Sequence, residues 1–483
     1  MRPELRLDSH SGVPLYRQLF ERLKGSIDSG ELASGARLPA TRELAGLLGL
    51  NRTTVSAAYE LLESAGLISG HVGRGSFVTG PAPRAALDWN QLLPPAEASL
   101  PAPAAARISF ASSRPAEDLF PLSEFRATCD EVLQSPEGRR ILQLGSPGGY
   151  GPLLQFLRKA EQLRPADDLI VTSGCQQALD LLARVLLAPG DKVAIEDPVY
   201  PGAKNIFARA RARMIGVPVG PDGIRAGELE HIFSRERPKL LVVTSSFQNP
   251  TGATMPLEAR RAILRLARAA GVFVLENDTY GELRYEGEDI ATLKELDDTG
   301  HTVRLRSFSK IAFPGLRVGW ASGPQPLIAR MIEAKHLADL HTDQLSQAVL
   351  LRFAESGRLD AHRRRVLKSG AVRLHTVLTA CRRHLPAGSE FTRPQGGMNL
   401  WVRLPEPLDA AELLPRVQRE GVTYLPGKYF AVGRWQPGAL RLSFAGLDPG
   451  KIREGLAAMG EVFSAELARL RLVRGGEPVP AMV

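Results

Sequence analysis

Short amphipathic segments separated by turn residues make up the first eighty residues of the chain. Apolar side chains recur there at helical spacing, beginning with Leu15, Leu19, Leu23 and Ile27. Gly30 and Gly35 interrupt this pattern, and a second helix is predicted to begin near residue 40 with Thr41 as its N-terminal cap. The pattern therefore predicts two helices within the first fifty residues.

A third helix is predicted over residues 51–62, after a turn at Gly49. Its first turn is polar, whereas its later positions are apolar, namely Val55, Tyr59 and Leu62. A helix–turn–helix needs this division, because the recognition helix offers its N-terminal turn to base edges and buries its other face. The second and third helices are therefore predicted to form such a motif.

A hairpin is predicted after the third helix. Apolar and β-branched residues over 67–68 and 76–79 flank the sequence Gly-Arg-Gly at residues 73–75, and glycines at such a position favour a tight turn. Arg74 is expected at the tip of this hairpin. A hairpin beside a helix–turn–helix is a wing, so residues 11–79 are predicted to fold as a winged helix–turn–helix.

The remainder of the chain follows a different pattern. Residues 80–107 are rich in proline and alanine and are predicted to form a semi-extended linker. From residue 108, longer helical patterns alternate with short apolar runs, which are residues 169–172, 192–195, 240–244 and 272–275. That alternation predicts an α/β domain with a mostly parallel central sheet. The domain is assigned to residues 108–472, followed by a C-terminal tail at 473–483.

Composition and charge add three constraints. The 483 residues are 44% hydrophobic and contain no run of about 18 apolar residues, so we expect no membrane span. The three cysteines lack metal-ligand spacing, so we expect no metal site, no disulfide scaffold and a cytoplasmic location. The net charge of +9 suggests nucleic acid, but residues 1–80 hold nine Arg and Lys against eight Asp and Glu. DNA binding is therefore expected to depend on particular cations.

The N-terminal blocks resemble the GntR family of winged-helix regulators. The matching text is PLYRQLFERLKGSI, LPATRELAGLLGLNRTTVSAAYELLESAGLI and GRGSFV, within residues 13–79. The resemblance implies that the major groove of a double-stranded DNA operator meets Arg42, Asn51, Arg52, Thr53 and Thr54. It also implies that Arg74 enters the minor groove, which attracts arginine where it is narrow. The alternative is a three-helix scaffold whose exposed charges do not bind DNA.

In the large domain, a lysine and several anion-binding groups suit a phosphorylated aldehyde cofactor. Lys310 follows a strand-like stretch, and a lysine that forms a Schiff base must be held beside the aldehyde. Ser307, Ser309 and Arg317 can hold the phosphate, the arginine through a charge-assisted fork. Backbone N–H groups at a helix start can bind the same anion. The helix in question begins with Cys175 and Gln176.

Five further side chains suit the ring and the substrate of such a cofactor. Asp278 ends an apolar run, and a carboxylate there can keep the pyridinium nitrogen protonated. Asn249 and Tyr280 can hydrogen-bond the 3-oxygen of the ring, while Tyr200 offers an aromatic face for stacking. Arg441 can grip a carboxylate through two hydrogen bonds. Taken singly, each feature also has an ordinary structural explanation, and the argument depends on their occurring together.

These blocks, in this order, resemble the fold-type-I pyridoxal-phosphate aminotransferases across residues 108–470. The resemblance implies that Lys310 forms the Schiff base with pyridoxal 5'-phosphate, that Asp278 pairs with the pyridine nitrogen and that Arg317 anchors the phosphate. It implies that Arg441 binds the α-carboxylate of a substrate or effector. A GntR head before such a domain is similar to the MocR-type regulators, for which a homodimer with each head on the partner's large domain is expected.

One position departs from the aminotransferase pattern. In related aminotransferases, the stretch before a Gly-x-x-x-Leu block carries a tyrosine that reaches the phosphate of the partner subunit. Leu144 stands at that position here, and a leucine cannot donate a hydrogen bond. The substitution argues against efficient transamination.

The sequence thus favours a DNA-binding transcriptional regulator that senses pyridoxal phosphate, or the cofactor joined to an amino compound. The main alternative is an active aminotransferase with an accessory DNA-binding head. A third possibility is a regulator that has lost the cofactor, which the presence of Lys310, Asp278 and Arg317 disfavours.

Overall fold

The computed structural model describes residues 7–9, 11–71, 75–79, 89, 93 and 106–475. The chain divides into two compact units, with the division between residues 98 and 99. Arg74, at the expected tip of the wing, and nearly all of the expected linker lie outside the described residues. None of the helices in the described ranges combines the length and the apolar character needed to cross a membrane.

The first unit contains three helices and a two-stranded hairpin. These elements are α1 (Leu15–Asp28), α2 (Thr41–Leu48), α3 (Arg52–Ser64), β1 (Ile68–His71) and β2 (Gly75–Val78). The apolar faces of the helices meet in one core, in which Leu19, Val55 and Leu62 are fully buried. The strands pair in antiparallel register, with Ile68 opposite Val78. This order is that of a winged helix–turn–helix.

The two helices of the motif differ from the sequence expectation at the cap of α2 and at the bounds of α3, which begins one residue and ends two residues later than predicted. The N-terminal cap of α2 is Ala40, and Thr41 is the first helical residue, so the predicted cap was wrong by one position. Gly49 ends α2 in the left-handed conformation, at φ +66°, which a glycine adopts without steric cost. Asn51 caps α3, because its side chain accepts a hydrogen bond from the Thr53 N–H at 3.3 Å.

The large unit alternates strands and helices along the chain. Its helices are α4 (Leu122–Gln134), α5 (Gly138–Ile141), α6 (Gly151–Ala160), α7 (Cys175–Leu186), α8 (Pro201–Arg209), α9 (Ala226–Glu236), α10 (Leu257–Ala270), α11 (Leu293–Leu296), α12 (Gln325–Asp339), α13 (Gln344–Glu355), α14 (Arg358–His384), α15 (Ala410–Arg419) and α16 (Pro449–Gly475). The last helix continues past residue 472, so the first residues assigned to the tail are helical.

The strands of the large unit build one large and two small sheets. They are β3 (Ile108–Ser109), β4 (Asp167–Thr172), β5 (Lys192–Asp197), β6 (Arg213–Gly220), β7 (Gly223–Ile224), β8 (Leu240–Val243), β9 (Phe273–Asn277), β10 (Thr302–Ser307), β11 (Gly319–Pro324), β12 (Glu390–Phe391), β13 (Asn399–Arg403), β14 (Val422–Thr423), β15 (Leu425–Pro426) and β16 (Ala439–Ser443). Each predicted apolar run overlaps one strand of the large sheet.

The large sheet has the strand order β4–β11–β10–β9–β8–β5–β6–β7. The strands from β10 to β6 in this order pair in parallel, which confirms the predicted mostly parallel sheet. Strand β11 runs antiparallel to both of its neighbours. The central strands are covered on both faces, and every residue of β8 is buried, as expected where helices cover both sides of a sheet.

A smaller antiparallel sheet, in the order β12–β13–β16–β15, lies within the same large unit. Its apolar residues share a core with the long helices α14 and α16. Strands β3 and β14 pair separately in parallel. Arg441 lies on β16 of the smaller sheet, opposite Trp401.

The topology brings many candidate side chains to one edge of the large sheet. The carboxyl ends of β4, β5, β8, β9 and β10 meet there, and the antiparallel β11 begins at the same edge. The connections that leave this edge carry Cys175, Tyr200, Asn249, Tyr280 and Lys310. Ligands of open α/β sheets bind at this edge, so the fold itself indicates where a cofactor would lie.

Candidate functional site

A cavity of about 300 Å³ opens at the carboxyl edge of the large sheet. Its lining includes nearly all of the residues that the sequence assigned to the cofactor. These are Cys175, Gln176, Tyr200, Asn249, Tyr280, Ser307, Ser309, Lys310, Arg317 and Arg441. Side chains separated by up to about 270 residues in sequence therefore surround one space.

Lys310 ends a short 3-10 turn, Phe308–Lys310, that follows β10 directly. Its Nζ donates a hydrogen bond to the Ser113 carbonyl oxygen at 2.6 Å and lies 5.5 Å from the centre of the Tyr280 ring. Ser113 was not identified from the sequence, because a serine in an irregular segment carries no local signal. The amine is thus held inside the cavity by a backbone acceptor and an aromatic face.

Tyr280 belongs to a hydrogen-bonded group on the floor of the cavity. The Asn249 amide donates to its hydroxyl at 3.2 Å, and the other end of the same amide accepts from Arg441 at 3.0 Å. Burial opposes ionisation of the hydroxyl, but the charges of Lys310 and Arg441 and nearby hydrogen bonds together lower its pKa. This arrangement favours a hydroxyl that shares its proton readily with a neighbouring oxygen.

An anion-binding cradle lies at the start of α7. Gly174 precedes the helix at φ +80° and ψ 170°, a conformation that is essentially restricted to glycine. A side chain at this position would overlap the guanidinium of Arg317. Arg317 donates to the Ser173 carbonyl oxygen at 3.2 Å, and it is itself in the left-handed conformation at φ +54°. The strained backbone thus brings the guanidinium against the helix start.

Two hydroxyls complete the cradle. Ser307 and Ser309 are buried and hydrogen-bonded to each other at 2.7 Å. The first N–H groups of α7 have no acceptor within their own helix, and they add their partial positive charge to that of Arg317. Arginine, hydroxyls and a helix start together suit a phosphate dianion.

The two side chains at the beginning of α7 are engaged within the protein. The Cys175 thiol donates to the Arg306 carbonyl oxygen at 3.2 Å, and burial raises its pKa to about 12, so the thiol stays protonated. The Gln176 side chain accepts a hydrogen bond from the Tyr200 hydroxyl at 3.2 Å. These residues therefore offer backbone N–H groups to an anion, while Gln176 orients the Tyr200 ring.

Arg441 enters the cavity from the smaller sheet. It is almost completely buried, and burial lowers its pKa to about 10 although Tyr280 and Tyr200 oppose this effect. Its guanidinium lies 5.0 Å from the centre of the Phe430 ring, and its Nε is buried without a hydrogen-bond partner. A buried cation with an unused donor is suited to a carboxylate ligand.

The structure corrects the expected position of Asp278. This residue does not line the cavity of Lys310; it lines a neighbouring cavity together with Glu282, Arg304 and Arg306. Successive side chains at the end of a strand point to opposite sides, so the preceding residue, Asn277, faces Lys310 instead. Burial raises the pKa of Asp278 to about 7, and Arg306 opposes this shift. Asn277 is therefore the member of this pair that lines the Lys310 cavity, and the pairing of Asp278 with a ring nitrogen stays a prediction.

Leu144, the residue that departs from the aminotransferase pattern, lies on the surface of the large unit. Its side chain is 79% exposed, and nearby Leu142 is 66% exposed. Neither residue lines the Lys310 cavity.

The described candidates for DNA binding lie on α2 and at the start of α3. Arg42 of α2 is exposed, as are Asn51, Arg52 and Thr53 at the start of α3, whereas Thr54 is half-buried. The side-chain oxygen of Asn51 accepts the hydrogen bond that caps α3. Asn51 therefore stabilises the start of the helix in addition to any contact with DNA. Arg37, which was not identified from the sequence, is exposed and lies against Gly75 of the hairpin.

Comparison with known proteins matches both units. Residues 15–78 match the bacterial regulatory proteins of the gntR family, and residues 152–459 match aminotransferase class I and II. An aromatic-amino-acid aminotransferase from Thermococcus litoralis is 33% identical over 75% of this chain and 89% of its own length. A similar solved structure is that of LysN, an α-aminoadipate aminotransferase from Thermus thermophilus, complexed with N-(5'-phosphopyridoxyl)-L-leucine. Its sequence is 36% identical to this one, and the match covers 75% of this chain and 93% of that chain. The TM-score is 0.72.

Several relatives extend over both units. The probable rhizopine catabolism regulatory protein MocR from Rhizobium meliloti is 31% identical over 95% of this chain and 96% of its own length. Aminotransferases of class I and II depend on pyridoxal phosphate, and the cradle at Gly174 and the cations that line the cavity fit that molecule. Pyridoxal phosphate is thus the cofactor of the large unit. The chain belongs to the MocR-type regulators, in which a GntR-family DNA-binding head precedes an aminotransferase class I and II domain.

Proposed function

We propose that this protein is a transcriptional regulator that binds operator DNA through its first unit and pyridoxal phosphate through Lys310 of its second. The bound cofactor, alone or joined to an amino compound, changes the affinity for DNA. The observation that carries the proposal is the presence, in one chain, of a winged helix–turn–helix and of a cavity that gathers Lys310, Arg317 and Arg441. The protein acts in the cytoplasm as a homodimer.

Each group in the cavity has one task in this proposal. When bound, pyridoxal phosphate supplies an aldehyde that combines reversibly with amines and a ring that can accept electrons. Lys310 offers the amine for covalent attachment, and the cradle of Ser307, Ser309 and Arg317 holds the phosphate. Tyr280 and Asn249 orient the 3-oxygen of the ring, while Tyr200 covers a ring face. Backbone N–H groups of Cys175 and Gln176 assist at the phosphate.

The chemical class of the effector is inferred from Arg441, the cation of the cavity that has no task in binding the cofactor. Arg441 is buried, keeps an unpaired Nε and comes from a different sheet than Lys310. An amino compound that also carries a carboxylate can reach both the aldehyde of the cofactor and this guanidinium. We therefore assign amino acids as the class of effector.

An active aminotransferase is the second candidate, and the similarity to the Thermococcus litoralis enzyme favours it. Two observations weigh against it. Leu144 cannot supply the hydrogen bond that a tyrosine would supply, and Asp278 faces away from the cavity. Both observations favour a protein that binds the cofactor without catalysing transamination.

The proposal is tested by measuring DNA binding with and without the cofactor. Fluorescence anisotropy with DNA from the protein's own promoter should give a different dissociation constant when pyridoxal phosphate is added. Lys310→Ala should bind the same DNA but should show no response to the cofactor. A native protein whose DNA affinity is unaffected by pyridoxal phosphate and by added amino acids would contradict the regulatory proposal.

A further inference from the structure

The Lys310 cavity contains cations but no acid. Lys310, Arg317 and Arg441 line it, and no described residue of its lining is an aspartate or a glutamate. An adjacent carboxylate is the protein group that holds a pyridine nitrogen in its protonated form, because the ion pair favours the cationic ring. The cavity therefore has no group of this kind.

The side chain at the end of β9 that enters the cavity is an amide. Asn277 lines the cavity together with Lys310, and it is opposite Leu305 of β10. Its Oδ1 is buried without a hydrogen-bond partner, and its Nδ2 has no hydrogen bond to any described residue. The amide can therefore bond a ligand as an acceptor through Oδ1 or as a donor through Nδ2. An amide carries no charge at any ordinary pH and cannot balance a cationic ring in either orientation.

Asp278 lines the neighbouring cavity, and its Oδ1 is buried without a hydrogen-bond partner. Its Oδ2 lies 3.6 Å from the Nε of Arg306, and its other oxygen packs against Gly281. Arg306 in turn contacts Glu161 and Glu282. Turning Asp278 into the Lys310 cavity would remove one of the three carboxylates that surround the half-buried Arg306.

We propose that Asn277 occupies the position facing the ring nitrogen of the bound cofactor, donates an amide hydrogen bond to it, and leaves that nitrogen unprotonated. This inference rests on the proposed function, since it requires pyridoxal phosphate in the cavity. A neutral ring withdraws electrons less strongly than a cationic one, and the carbon–hydrogen bond of an attached amino acid is then less acidic. The protein holds its cofactor as a sensor and suppresses its turnover.

The protonation of the ring nitrogen is measured directly by NMR with pyridoxal phosphate labelled with ¹⁵N in the ring. The native protein should show the resonance of an unprotonated nitrogen. Asn277→Asp places a carboxylate in the cavity, so it should move the resonance to the protonated position and tighten cofactor binding about tenfold, because charge-assisted hydrogen bonds are stronger. Asp278→Asn is the matched control and should leave the resonance at its native position.

The outcomes separate this inference from the proposed function. A protonated ring nitrogen in the native protein overturns the inference, as does a change of the resonance in Asp278→Asn. An unprotonated nitrogen in an Asn277→Asp protein that retains the cofactor overturns it too, because Asn277 then lies elsewhere. A native protein that takes up no pyridoxal phosphate contradicts the proposed function itself, before any ring nitrogen is observed.

Discussion

The amine of Lys310 lies 2.6 Å from the carbonyl oxygen of Ser113 and beside the ring of Tyr280. Lys310→Ala removes the one lysine amine among the described lining residues of the cavity, and therefore the group that can form a Schiff base with an aldehyde. After borohydride reduction of the native protein with pyridoxal phosphate, mass spectrometry should find one phosphopyridoxyl group per chain, on the peptide that contains residue 310.

The Lys310→Ala variant should carry no trapped group and should keep the circular dichroism spectrum of the native protein. Lys428, which does not line the cavity, gives a matched control, since Lys428→Ala should be labelled like the native chain. Trapping at another lysine in the Lys310→Ala protein would show that the attachment site is wrong.

At this scale the sequence predicted ten residues that line the cavity and one, Asp278, that does not line it. Lys310 could be found because it follows a strand-like run, Arg317 because it comes seven residues later, and Arg441 because it stands within the apolar stretch 440–444. Asn277 and Asp278 are consecutive, and only the strand register decides which of them faces Lys310. A carboxylate is the more familiar partner of a ring nitrogen, so chemical reasoning from the sequence alone selected Asp278.

At the scale of elements, the start of α7 depends on one glycine. Gly174→Ala places a side chain against the guanidinium of Arg317 and in a backbone conformation that disfavours it. The variant should lose on the order of 1 kcal/mol of unfolding free energy and should bind pyridoxal phosphate more weakly, as measured by urea unfolding and absorbance titration.

Gly190 provides the control, because it also has a positive φ, +90°, but has open space where a side chain would lie. Gly190→Ala should lose a similar stability while keeping the native cofactor affinity. Equal cofactor affinity in both variants would exclude Arg317 from the phosphate cradle.

The recognition helix α3 presents Arg52 at its exposed first turn. A base-edge contact contributes about 1–3 kcal/mol of discrimination, whereas a phosphate contact affects all sequences alike. Arg52→Ala should therefore weaken binding to the protein's own promoter more than binding to a scrambled duplex, in titrations at several salt concentrations.

Arg22→Ala removes the same charge from an exposed position of α1, and it should preserve the ratio of specific to non-specific affinity. If both variants reduce the two affinities by the same factor, Arg52 contributes only to phosphate binding.

Element types and order were predictable because the long apolar runs and helical patterns are strong signals. Strands β4, β5, β8 and β9 coincide with apolar runs identified in the sequence. The smaller sheet was not predicted, because strands as short as β12 and β15, with two residues each, show no alternation. The position of the antiparallel strand β11 between β4 and β10 was not predicted either, because local sequence patterns do not determine the order of strands in a sheet.

For the whole molecule, the exposed Leu144 and the absence of an acid from the described lining of the cavity both disfavour catalysis. With common amino acids and 2-oxoglutarate, turnover should fall well below about 1 per second, the lower end of the usual range for enzymes. Coupled assays under cofactor saturation measure it. Rapid turnover of any ordinary pair, together with an absence of sequence-specific DNA binding, would reverse the order of the two candidate functions.

Lys310 and Arg317 lie on one connection, between β10 and β11 of the large sheet, whereas Arg441 lies on β16 of the smaller sheet. Pyridoxal phosphate alone is therefore bound by residues of the large sheet only. An amino acid joined to it connects the two sheets, because its carboxylate binds Arg441. The number of bonds between the nitrogen and the carboxylate of the amino acid then sets the separation between the two sheets. The protein should therefore respond to the distance between the amino nitrogen and the carboxylate of its effector. It should distinguish an α- from a γ-amino acid, because each one sets a different separation between the two sheets.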